Sequence, residues 1–345
     1  MRQATNTDIT QDQALDPVKE QTSADDQAQI DQIGRGRQAV TPLDIPRRGW
    51  RDILIRSWHD ITSKNLGIVA AGVAFYALLA IFPGLGAMVS LYGLVANPSD
   101  IRHLTDITAS FIPGEANSLL VDQLNALVSR PSGNLTLAAA GSILLALWSA
   151  HNGITTFMTA LNIAYGETEQ RGFIARNALA IGLTFGAVVF IILALVLVAI
   201  LPAIIHILPL PPRWLDFIAL IRWPILAVFL MAGIAALYRL GPSRQRPQWR
   251  WVSVGSLVAT VLWVLGSIGF SLYVTRFGSY NKTYGSLGAV IVLLMWLYFS
   301  SYFILIGAQI NAEAEHQTAK DTTSGPEKPM GERDAFVADT VGRST

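Results

Sequence analysis

Cysteine is absent from all 345 residues. Disulfides, thiolate nucleophiles and cysteine-ligated metal are excluded with it. Charge is scarce as well: Asp, Glu, Lys and Arg make up 14% of the chain, against about 25% in a soluble domain. The charges that remain crowd into two tails and a few short loops, which fits one membrane domain with polar tails better than soluble domains. A net charge of +1 gives no case for nucleic acid as a partner. The histidines His59, His103, His151, His206 and His316 are scattered. With no HExxH pair and no carboxylate cluster in the apolar stretches, metal hydrolysis and paired-carboxylate catalysis lack their parts. Gly84 and Gly86 form a bare Gly-x-Gly without a P-loop lysine. No enzyme activity, cofactor or metal is expected. Residues 1–30 show no apolar core behind a basic start, so the first span is expected to act as the insertion signal.

What is abundant is apolar surface, at 52% of residues. It is arranged as an all-α membrane protein with about six transmembrane helices, at 66–96, 135–160, 178–208, 217–240, 251–275 and 285–311. The membrane domain spans 45–312, and the flanking 1–44 and 313–345 are expected to be disordered tails. Asn65–Ser99 carries no charge and is too long for one straight span. Pro83 predicts a break or kink inside it, beside Tyr76. From Ile45 to Lys64, Trp50, Leu54, Trp58 and Ile61 share a helical face, with Arg47, Arg48, Arg51, Arg56 and Lys64 around it. Two readings stand: an amphipathic helix on an anionic membrane surface, or a helix packed on the protein itself. The 97–134 segment predicts short amphipathic helices outside the membrane. Lys and Arg near the span ends number thirteen on the side of the N-terminus and six on the other, which predicts both termini in the cytoplasm.

Within the spans the polarity is neutral. His151 and Asn152, with Thr155 and Thr156, fall inside the second span, and Gln309 and Asn311 inside the last. Tyr76, Pro83, His151, Asn152, Tyr284, Gln309 and Asn311 are candidates for a substrate path. The competing reading is interhelical hydrogen bonding, worth on average about 0.6 kcal/mol per contact. Gly182 and Gly186 form a GxxxG pair of the kind that packs helices closely. Trp214, Trp249 and Trp251 fit an interfacial belt.

The stretches AAGVAFYALLAIFPGL (70–85), NIAYG (162–166), LYRLGP (237–242), YNKTYGSLGAVIVLLMWLY (280–298) and GAQIN (307–311) resemble the YihY/BrkB family of bacterial inner-membrane proteins. The likeness covers about 50–315. Where that family commonly carries an acidic residue, this chain has Gln309. The resemblance implies a six-helix domain in the inner membrane and a link to envelope integrity, virulence-related in some members. Some relatives are associated with moving lipids or lipopolysaccharide precursors. Members have also carried the label ribonuclease BN, but RNA cleavage would need a basic groove with acid–base or metal groups, and none appears. The leading expectation is handling of a lipid or other amphiphile, with membrane lipids as partners and Arg47, Arg48, Arg51, Arg56 and Lys64 as anionic-lipid contacts. A scaffold recruiting periplasmic or envelope proteins through 97–134 is the alternative, and a small-solute or ion transporter the third.

Overall fold

A computed structural model describes residues 34–95, 132–197, 212–277 and 286–345. Among them there is no strand, only an isolated bridge between Pro247 and Thr323. The helices are α1 (Arg47–Ser63), α2 (Leu66–Val95), α3 (Ser132–Tyr165), α4 (Phe173–Leu195), α5 (Pro212–Leu240), α6 (Trp249–Phe277), α7 (Ser286–Glu315) and the short α8 (Phe336–Asp339). Tyr284, residues 1–33 and the stretch 96–131, where the outer amphipathic helices are expected, lie outside the described residues.

Four helices are long and apolar enough to cross a bilayer alone, over Phe173–Ala194, Leu220–Leu240, Trp249–Thr275 and Gly288–Glu315. A fifth candidate is the bent pair α1–α2. In that pair the axes turn by 63° across a short break. Asn65 supplies the corner with a left-handed φ of 51°, a conformation that asparagine tolerates better than most residues. Its carbonyl accepts the Ile68 and Val69 N–H groups, starting α2. The sharp bend therefore precedes the apolar run. Contrary to the expectation of a break near Pro83, α2 is one helix of 30 residues with Pro83 inside it. A transmembrane helix tolerates proline where neighbouring helices and local adjustments re-satisfy the freed backbone groups. Pro224 is carried within α5 in the same way.

α2 packs along α3, and α7 is the central helix, touching α1, α2, α3, α6 and α8. α5 packs on α6, and α4 rests on α3 and meets α5 where Phe190 stacks on Phe229 at 4.3 Å. Lipid chains are as apolar as leucine, so close packing rather than hydrophobic transfer selects these contacts. At the α6–α7 crossing a Cβ on Gly255 would strike the Gly307 carbonyl, and one on Gly307 the Gly255 carbonyl, so the backbones touch. Gly182 and Gly186 do not act this way. Both are exposed, and a Cβ on either meets no atom within 4 Å among the described residues. Trp249 is 56% exposed and suits an interface, whereas Trp251, at 1%, is core.

The tail behind α7 is a second correction. Residues 313–345 are packed, not free: Gln317, Thr318 and Thr322 are fully buried. Their polarity conceals this in the sequence, because hydrogen bonds rather than apolar area hold them. Thr318 Oγ1 donates to Ala39 O at 2.7 Å, Gln317 Nε2 to Arg35 O at 2.9 Å, and the Ala319 N–H to Arg37 O at 2.9 Å. Residues 34–44, expected as part of the N-terminal tail, are thereby folded against the C-terminal one. α1, the 166–172 and 241–248 loops and the tail all gather at one end of the bundle, the polar end.

Candidate functional site

α1 has two working faces. Gly49, Asp52, Ile53 and Ser57 are buried against the protein. Arg47, Arg51, Leu54 and Trp58 form an exposed stripe, with Trp58 at 76% and Leu54 at 55%. Cations beside exposed tryptophan and leucine suit the boundary between headgroups and chains. Arg48 is exposed as well. The other two expected lipid contacts serve the protein instead. Arg56 Nε holds Glu313 at 2.6 Å, and its other nitrogens donate to Gln317 Oε1 and to the Arg343 and Glu313 carbonyls. Lys64 Nζ lies 2.9 Å from Asp60 and donates to Ala164 O and Gln309 Oε1.

Gln309 and Asn311 are both fully buried. Gln309 Nε2 donates to Asp60 and to Glu313. Asn311 Oδ1 accepts the Gly255 N–H at 2.6 Å, and its Nδ2 donates to Val252 O at 3.1 Å. Apart from Glu313, which lies on α7 itself, these are helix-to-helix partners.

Tyr76 packs toward Gly153 between α2 and α3, whereas His151 meets α4. Tyr76, His151 and Asn152 are half-buried. The Tyr76 Cβ lies 3.9 Å from where a Cβ on Gly153 would sit. Asn152 accepts the Thr155 and Thr156 hydroxyls at its carbonyl. His151 Nε2 pairs with Asn177 Oδ1 on α4 at 3.1 Å, while its Nδ1 is buried without a hydrogen-bond partner. Pro83 stands half-buried further along α2.

Two of the stretches that carry the family resemblance converge at the polar end. From NIAYG, Asn162 accepts the Ser243 N–H at 2.7 Å and donates to Glu169 at 3.2 Å. Gly166 closes α3 with φ +70°, which favours glycine. From LYRLGP, Tyr238 donates to Ile304 O, and Gly241 leaves room for Leu161. Below them lies an ion pair that no spacing argument reveals: Arg244 on Glu315 at 2.7 Å, with side chains 1% and 0% exposed. Thr322 also donates to Glu315, and Arg244 lies 5.3 Å over the Tyr165 ring. Burial alone would lower the Arg244 pKa; the charge and hydrogen bonds of Glu315 outweigh it and hold it up.

Beside this pair is a pocket of about 520 Å³ whose lining includes Arg171, Arg239, Arg244 and Arg246. In the sequence these residues register only as inside-facing cations; their density in one short loop and at the end of LYRLGP was the available signal. Among the described residues no group of three or more His, Asp or Glu is placed to hold a metal.

A family model for virulence factor BrkB matches residues 57–331. A putative ribonuclease-like protein, YfkH, of Bacillus subtilis (strain 168) is 33% identical over 259 residues, 74% of this chain and 90% of that protein. A UPF0761 membrane protein of Cronobacter sakazakii is 26% identical over 79% of this chain and 91% of its own length, and one of Rhodospirillum centenum 27% over 84% and 62%. No solved structure matches. With apolar helices of membrane length and a family model covering most of its length, the chain is a multi-pass membrane protein that belongs to the BrkB family.

Proposed function

We propose that this protein binds and handles a lipid or similar amphiphile in the bacterial inner membrane, crossing it six times with the polar end in the cytoplasm, and that it has no catalytic role. The observation that carries this reading is His151. Its Nδ1 is buried and unpartnered at the α3–α4 contact, and a polar atom left so in hydrocarbon carries a free-energy penalty unless a ligand group or water reaches it. Asn152 and two threonine hydroxyls stand nearby on α3, and apart from His151 itself α2 and α3 carry no Asp, Glu, Lys, Arg or His. An ion-coupled transporter needs such groups; a mostly apolar substrate with a polar head does not. The exposed stripe of Arg47, Arg51, Leu54 and Trp58 supports the same reading from the membrane surface. The test is native mass spectrometry of protein purified from its own membranes. His151→Leu and Asn152→Leu should lower the retained lipid while expression holds. Wild-type lipid retention in both would favour the scaffold reading.

A further inference from the structure

We propose that the pocket between the start of α4 and the end of α5 is a binding site for a phosphate group, held by Arg239 and Arg246. The charges around the pocket do not cancel. Of its four arginines, Arg244 is bound to Glu315, and Arg171 has Glu169 at 4.0 Å. Arg171 is further committed, because its guanidinium donates to the carbonyls of Leu240, Gly241 and Pro242. It thereby covers the negative end of α5, which would otherwise repel an anion. Arg239 and Arg246 have no carboxylate within 4.0 Å among the described residues.

Arg239 is the better defined of the two. Its guanidinium lies 4.4 Å over the Trp249 ring, which fixes its plane, and donates to Ser324 Oγ at 3.3 Å. Its Nε is buried with no hydrogen-bond partner. A buried charged donor left unsatisfied is costly, and a bidentate oxyanion is the partner that a guanidinium fork matches. Arg246 is exposed at the mouth, and its positive charge joins burial in pushing the Arg171 pKa down, against Glu169. Two unbalanced cations match a phosphate monoester, which carries a charge of about −1.5 to −2 at neutral pH. The volume falls within the roughly 300–1,000 Å³ of ordinary ligand sites. Leu179 and Leu240 add an apolar part to the wall, so the site suits a phosphate on a lipid head or on a soluble phosphorylated molecule.

The experiment uses the full chain with two probes. Inorganic phosphate is titrated calorimetrically into protein in detergent, and retention of phosphatidic acid over phosphatidylcholine is measured in nanodiscs holding both. Binding of phosphate assigns the site to soluble ligands, and retention of phosphatidic acid alone assigns it to lipid heads. In either case Arg246→Gln and Arg239→Gln should each weaken binding about tenfold, and the exposed Lys320→Gln should not. Among the described residues the Arg246 side chain makes no hydrogen bond or ion pair, and its one bond, from the Ser324 N–H to its carbonyl, survives substitution, so its variant keeps the test valid if Arg239→Gln fails to fold. Wild-type binding in Arg246→Gln, or no binding of either probe by the native protein, overturns the proposal. Phosphate binding by a protein that retains no lipid would uphold this site and refute lipid handling.

Discussion

Asn311 ties α7 to α6 with both ends of its amide, at the level where Gly255 and Gly307 bring the two backbones into contact. A methyl group on Gly255 has nowhere to go but into the Gly307 carbonyl and the Asn311 amide. Gly255→Ala should therefore cost about 1–3 kcal/mol by overpacking. It should read as a lower midpoint in thermal unfolding of the detergent-solubilised protein, and an unchanged midpoint would refute the close approach. That Asn311 and Gln309 matter was legible in the sequence, because amides in an apolar run need partners. Which partners was not legible: Val252, Gly255 and Asp60 are distant in the chain, and a helical period says nothing about what faces it. Asp321 gives a second prediction at this scale. Burial alone would raise its pKa, but the N–H groups of Lys328 and Thr323, the Thr323 hydroxyl and Arg333 lower it. A carboxylate depressed on folding stabilises above its unfolded value, about 4, and that stability is lost as pH falls through the lower folded value. Protease cleavage within 320–340 should rise as pH drops from 5 to 3, and Asp321→Asn should show the increase already at neutral pH. A flat profile would mean that the tail is held by other groups.

Among the elements, the 241–248 loop and α7 are joined by the buried pair Arg244–Glu315. Removing one partner leaves an uncompensated buried charge, which typically costs about 3–5 kcal/mol, whereas replacing both with apolar residues is often nearly neutral. Arg244→Met and Glu315→Leu should each lower expression and thermal stability sharply, and the double variant should recover much of the loss. Additive losses would show that the pair acts through separate contacts. Four of the expected spans were readable from apolar length. Bends were not: Pro83 attracts notice in the sequence, yet the corner is made by Asn65, an exposed residue with a left-handed backbone. α1 packs on the protein with one face and leaves the other, its Trp58 stripe, exposed.

For the whole molecule, the distribution of cations predicts one orientation. A single cysteine placed at position 246 in this cysteine-free chain should resist an impermeant thiol reagent in intact cells, and one at position 115 should react. The reverse pattern would invert the assignment. The polar tail was the part least visible in the sequence, since low apolar content describes disorder and a hydrogen-bonded clasp equally well. The clasp joins residues made early to residues made late. Arg56 and Glu313 are 257 positions apart, Arg35 and Gln317 282, and Asp52 and Thr345 293. During synthesis α1 emerges long before its partners exist, so Arg56 must wait, solvated or at the membrane surface, until every span has been inserted. Contacts of such long range form last and slowly. The polar end thus closes only on a chain whose helices are already in place, making its assembly a seal on completed biogenesis.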